Sequence, residues 1–189
     1  AKNWDFKNRS CTSGVEEGVV CADELEVRAT IIVHCLDRLP EPDEEFHAAR
    51  ARANPQFGGS LHYRRMDVRD RDGSNQVMSA IAEDKNRLDG LVVAAGVNHV
   101  GGATAHSAAD IERVISTNYI GAFTSATAAV AQMLNKKTRG FEYEWIDYEP
   151  RDDIVYNLSA AAMIQLTRSF TMEWGKIDKE GRGEASKLP

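Results

Sequence analysis

The chain has 189 residues, enough for one domain with its own core and short for two. Hydrophobic residues make up 42% and charged residues 28%, a balance that excludes a disordered chain. The net charge is -6 and no dense Lys/Arg run occurs, so electrostatics give no reason to expect nucleic acid or an anionic membrane as partner.

The first notable stretch is "SGVEEGVV", Ser13 to Val20. Gly14 and Gly18 bracket a turn that can lead into a helix, whose free N–H groups and dipole attract a pyrophosphate. Glu16 and Glu17 carry the wrong sign for that role, and an ordinary surface turn is the competing reading. "RATIIVHCLD" (Arg28–Asp37) holds a β-branched run closed by polar residues and reads as a buried strand. "LPEPDEE" is then a loop and a helix start, and "FHAARARA" a short helix. "SLHYRRMDV" alternates well enough for a second strand. "GSNQVMSAIAEDKNRL" places Val77, Ile81 and Leu88 on one helical face, with Ser74 as a cap.

"DGLVVAAGV" is apolar throughout and ends on glycine, which predicts a third strand. "SAADIERVISTNYIGAFTSATAAVAQML" predicts a long helix with Ser107 as N-cap and Asp110 at its third position; "KKTRG" ends it. "FEYEWIDYEPRDD" alternates aromatic and acidic residues. "YNLSAAAMIQLTRSFTMEWG" is an amphipathic helix that begins on Tyr156. Its face of Met163, Leu166, Phe170 and Trp174 fits either plain core packing or a helix–helix interface. Residues 176–189 read as a polar tail.

Strands alternating with helices, the strands apolar, predict a three-layer, doubly wound parallel sheet in one domain spanning 1–189. No apolar run reaches the length of a membrane span, and "AKNWDFKNRS" lacks the apolar core of a secretory leader. Cys11, Cys21 and Cys35 are odd in number and lack metal-ligand spacing, which points to free thiols and a cytoplasmic location, with no metal expected.

Ligands of such sheets bind at the carboxyl ends of the strands. Asp37 ends the first clear strand about twenty residues past the glycines, the spacing of a carboxylate that binds adenosine ribose hydroxyls. It favours NAD, and Arg38 beside it leaves NADP open. Asp67 ends the next strand and can meet an adenine amino group; Val68 follows it. Ala95 and Gly96 end the third, where small residues let a flat cofactor approach the backbone. Each of these has a plainer reading as a strand-end acid or a tight loop. Asn118 stands inside the long helix between Ile115 and Tyr119, either on the solvent face or as a buried amide with partners.

Taken in this order, the residues resemble the short-chain dehydrogenase/reductase family. "SGVEEGVV" is similar to its glycine-rich loop: Ser13, Gly14 and Gly18 match, Val19 is carried along, and Val20 replaces the last glycine. "MDV" resembles the pair that contacts adenine, here Asp67 and Val68. "VVAAG" resembles the N-N-A-G turn, with Ala95 and Gly96 matching. "STNYIGAF" looks like the segment bearing the family's catalytic Asn, here Asn118. "YNLSA" looks like the Y-x-x-x-K motif, with Tyr156 in the tyrosine place and Ala160 in that of the lysine. The resemblance covers roughly Cys11 to Gly175 and is closest to fungal members.

It implies a Rossmann-like sheet, NAD or NADP as cofactor, and hydride transfer between the nicotinamide and a small-molecule alcohol or carbonyl. It also implies a homo-oligomer formed through the Asn118 and Tyr156 helices. Two further strands and a substrate-covering loop are expected beyond the Tyr156 helix in the family. A chain ending at Pro189 is expected to be C-terminally shortened. No serine lies between Gly140 and Val155, where the resemblance places the catalytic one. A tyrosine hydroxyl is a weak proton donor and acceptor at neutral pH unless a cation lies beside it, and Asp152 and Asp153 bring the opposite sign. The expectation is an oxidoreductase that is weak or inactive. The alternatives are a non-catalytic nucleotide-binding or oligomeric scaffold, and a truncated gene product.

Overall fold

The computed structural model describes residues 32–52, 59–136 and 154–174. Strand β1 (Ile32–Asp37) leads through helix α1 (Glu44–Arg52) to strand β2 (Ser60–Arg65), followed by helix α2 (Arg71–Asp84). After a short 3-10 turn (Ala103–Ala105) come α3 (Ala108–Ile115), a π-helical turn (Ser116–Gly121), α4 (Ala122–Asn135) and α5 (Ile154–Trp174). No described helix is long and apolar enough to cross a membrane.

β1 and β2 pair in parallel, from Ile32 opposite Ser60 to Asp37 opposite Arg65. Parallel neighbours cannot be joined by a hairpin, so α1 serves as the crossover. Phe46 from α1 is buried against Cys35 and Leu61, one from each strand. Beyond the strand ends, the Met66 N–H donates to the Asp37 carbonyl at 2.7 Å. That bond sets the turn after β1 beside the segment after β2.

The cap of α2 differs from the expected one. Asp70, not Ser74, is the N-cap: its carboxylate accepts from the Gly73 N–H at 3.0 Å. A carboxylate satisfies an orphan amide and complements the positive end of the helix dipole, which a hydroxyl one turn later cannot do. Ser74 instead lies fully buried inside the helix. The expected face is present: Ile81 is buried, and Val77 and Leu88 pack on the cluster of Met66, Met78, Ala128, Ala129 and Met133 that joins α2 to α4.

The expected third strand is also corrected. Residues 89–97 carry no strand pairing, and the described sheet has only β1 and β2. A strand is defined by its ladder partner, and β1 and β2 pair only with each other among the described residues. Two side chains of "LVV" pack on helices instead, while Val92 is exposed: Val93 is buried with Ala122 and Ala126 of α4 and Met163, Leu166 and Phe170 of α5, and Leu91 packs against them. The same contacts decide the reading of the α5 face. It is core, with Trp174 stacked on Phe170 at 4.0 Å between ring centroids.

The long helix is as expected at its start. The Ser107 side chain accepts from the Asp110 N–H at 3.2 Å, and the Asp110 carboxylate accepts from the Ser107 N–H at 3.1 Å. This reciprocal box satisfies two orphan donors. The helix then runs on in right-handed conformation through the π turn into α4. Gly121 sits where that turn meets the segment after β2. A Cβ built there would lie 2.5 Å from Val68 Cγ2 and 2.9 Å from its Cβ. Ala is the better helix former by about 1 kcal/mol, but the overlap outweighs this. Gly121→Ala is expected to lose about 1–3 kcal/mol of stability. A urea melt checks it, and an unchanged or raised midpoint would mean that Val68 moves aside freely.

Candidate functional site

β1 ends on Asp37, whose Oδ1 accepts from the Leu39 N–H at 2.8 Å. Such a bond across two residues lets a short acid fold the chain into a turn. β2 braces that turn from the side: the Tyr63 hydroxyl donates to the Leu39 carbonyl at 2.9 Å and Arg65 Nε to the Arg38 carbonyl at 3.1 Å. The position of Asp37 is therefore held by two side chains of the neighbouring strand.

The segment after β2 repeats the device. The Asp67 carboxylate accepts from the Arg69 N–H at 3.0 Å and from the Arg69 guanidinium, through Nε at 3.0 Å and Nη2 at 2.7 Å. The Asp70 N–H donates to the Asp67 carbonyl at 3.0 Å, and Asp70 then caps α2. The hydrogen-bonded Arg69 guanidinium holds the Asp67 carboxyl below its ordinary pKa, while partial burial works in the opposite direction.

These two turns and the loop Ala95–Val97 line a single cleft. Asp37, Asp67, Val68, Ala95 and Gly96, singled out separately in the sequence, stand around it together, with Arg38. Arg69, Arg113 and Thr117 also line it, and none of these was singled out by sequence reasoning. Arg69 carries a local signal, an arginine two residues after a strand-end acid. Arg113 carries none before the helix is placed. Ser13, Gly14, Gly18 and Val19 lie outside the described residues.

Asn118 lies in the π turn and is 2% exposed. Its Oδ1 accepts from the Val97 N–H at 2.8 Å. Its Nδ2 donates to the Val97 carbonyl at 3.0 Å and to Ser159 Oγ at 3.1 Å. The Ser159 hydroxyl in turn donates to the Tyr156 carbonyl at 2.8 Å. One buried amide thus joins the cleft loop to α5, which settles the two readings of Asn118 in favour of a buried residue with partners. Ser159 went unnoticed in the sequence, although a serine three residues after Tyr156 could be expected to turn inward with it. Tyr156 is half-buried near the start of α5 and does not line the cleft. Ala160, one residue after Ser159, has no exposed surface at all.

A family model described as "short chain dehydrogenase" matches residues 18–141. Among curated proteins, the chain is 30% identical over 159 residues to an Aspergillus versicolor protein described as "Short chain dehydrogenases/reductase notP'", covering 80% of this chain and 53% of that one. It is 25% identical over 120 residues to an "NADH-dependent L-xylulose reductase" of Ambrosiozyma monospora, covering 59% and 44%. The chain therefore spans about half the length of the curated relatives it matches. Among solved structures, an NAD+-bound xylitol dehydrogenase superposes with a TM-score of 0.65 at 20% identity, over 76% of this chain and 55% of that one. "ElxO with NADP Bound" does so with 0.63 at 21% identity, over 75% and 57%. At such identities the likeness speaks for the fold alone, and that fold is Rossmann-like.

Proposed function

This chain belongs to the short-chain dehydrogenase/reductase family, and from that premise we propose that its cleft takes the adenosine half of a nicotinamide dinucleotide. The observation that carries the reading is the convergence on one cleft of Asp37, Asp67 and Gly96 from three separate segments. In this reading Asp37 accepts from the ribose hydroxyls, Asp67 and Val68 border the adenine, and Ala95 and Gly96 form the wall against which the nucleotide lies. The residues fit such a ligand. Asp37 Oδ1 is engaged by Leu39, and no described bond occupies its other oxygen, so a hydroxyl donor can be met there. Three guanidinium groups against two carboxylates leave the cleft with positive excess, which suits a diphosphate. Asp37 favours NAD, and Arg38 keeps NADP open. Ser13, Gly14, Gly18 and Val19 are the proposed pyrophosphate loop.

The dinucleotide, when bound, supplies hydride exchange with an alcohol or carbonyl carbon of a small substrate. Tyr156 is the residue proposed to hold the substrate proton, with Asn118 fixing the helices around it. We place efficient turnover outside this chain's reach, because Ala160 offers no cation to Tyr156 and its position is sealed. The second reading is a nucleotide-binding scaffold. Asn118 and Ser159, both fully engaged with each other and with backbone, support it. Ile154, Leu158 and Met172 are exposed along α5, and a homo-oligomer through this helix and the Asn118 helix is proposed on that ground. A cytoplasmic location is proposed from the odd number of cysteines and their lack of metal-ligand spacing.

The test is a calorimetric titration of the chain and of an Asp37→Ala variant with NADH and NADPH. Loss of a charge-assisted hydrogen bond is expected to weaken NADH about ten- to a hundredfold. Equal affinities for the chain and the variant would place the dinucleotide elsewhere.

A further inference from the structure

Asp67 does not offer a free carboxylate to the cleft. Its Oδ1 receives two donors, the Arg69 N–H and the Arg69 Nε, each at 3.0 Å. Its Oδ2 receives Arg69 Nη2 at 2.7 Å and shares Nε at a longer 3.3 Å. A carboxylate has about four acceptor directions, so both at Oδ1 are used and one at Oδ2 remains. The backbone bond also fixes the turn, so the carboxylate cannot rotate to offer another direction without breaking the fork. Asp67 and Arg69 both line the cleft, and their side chains are 35% and 45% exposed. The remaining direction is therefore within reach of a ligand.

We propose that Arg69 is a positioning residue that holds Asp67 so that the cleft selects a purine bearing an amino group at its six position. This rests on the reading that the cleft takes an adenosine. A six-amino group donates one N–H to the remaining acceptor direction. A six-oxo group presents a carbonyl oxygen to a carboxylate oxygen, and the two repel. Asp67 is a carboxylate at neutral pH with or without Arg69, and an ionised carboxylate has no proton with which to accommodate the oxo form. Without Arg69, Asp67 is free to rotate away from either base, and the discrimination fades.

The experiment compares NADH with deamino-NADH, in which an oxo group replaces the six-amino group and N1 gains a hydrogen, by calorimetry. The chain is expected to bind NADH at least about tenfold tighter, the ratio of one well-placed hydrogen bond in a site that leaves its acceptor unpaired otherwise. Arg69→Ala is expected to bring the ratio within about threefold, and Arg69→Lys to restore part of it. The control is Arg87→Ala. Arg87 makes a similar two-residue pair with Asp89, at 2.7 Å, away from the cleft, and its loss is expected to leave the ratio unchanged. All three variants are on exposed positions, and unaltered far-UV dichroism confirms their fold. An unchanged ratio in Arg69→Ala, or an equal loss in Arg87→Ala, overturns the role of Arg69 while leaving the nucleotide cleft in place. Binding of neither dinucleotide by the unaltered chain overturns both.

Discussion

Replacing Asn118 by leucine is expected to destabilise the protein by about 3 kcal/mol or more, because it strips three buried or half-buried groups of their partner at once. Leucine keeps the branching and the number of side-chain heavy atoms of asparagine, but its methyl groups are bulkier, so some overpacking adds to the loss. What is lost is the acceptor for the Val97 N–H and the donor to the Val97 carbonyl and to Ser159 Oγ. Water cannot easily replace the amide, since Asn118 is 2% and Ser159 1% exposed. Asn118→Asp separates the parts. It keeps an acceptor for Val97 N–H, but sets a carboxylate oxygen against the Val97 carbonyl. Its loss is therefore expected to equal or exceed that of leucine near neutral pH, and to lessen on acidification as the carboxyl regains a proton and can donate again. Chemical denaturation at two pH values checks this. A loss below about 1 kcal/mol for leucine would show that the clamp between the cleft loop and α5 carries little of the stability.

The second large effect is at Ala160. Restoring a lysine at this position, as the family resemblance invites, is expected to unfold the domain or cost more than about 4 kcal/mol, rather than to restore catalysis. The reason is local. Ala160 has no exposed surface and stands between Ser159, already bonded to Asn118, and the buried Met163. A lysine must either bury its ammonium, give up its proton, or push the helices apart. Ala160→Met has a similar length without the charge and is expected to cost about 1–3 kcal/mol by overpacking alone. The difference between the two variants measures the charge. If Ala160→Lys folds as stably as the unaltered chain and also gains ketone reduction, the sealed position described above is wrong.

These effects also show what the sequence made legible. The strand ending at Asp37 and the Ser107–Asp110 capping box rest on local chemistry, and both are present. The meeting of Asp37, Asp67 and Gly96 followed from placing each at a chain segment's end, since such ends gather on one side of a parallel sheet. The segment "DGLVVAAGV" misled because hydrophobicity reports burial and not pairing. Val93 is buried as expected, but by helices. Ser74 misled because a cap depends on which residue leaves the helical conformation first, and Asp70 does so four residues earlier. The bond from Asn118 to Ser159 joins residues 41 apart, and no periodicity signals a contact of that range. The glycine turn from Ser13 to Val19 lies outside the described residues and stays with the proposal.

On the proposed reading, the cleft takes a dinucleotide and efficient chemistry beside it is missing. One sample tests both halves: the chain with NADH and a panel of ketones and ketoses, followed by dinucleotide fluorescence and by absorbance at the nicotinamide band. The predicted result is saturable NADH binding, lost in Asp37→Ala, with no oxidation above the rate without protein. Steady NADH oxidation by the unaltered chain, dependent on ketone and abolished by Tyr156→Phe, would contradict it.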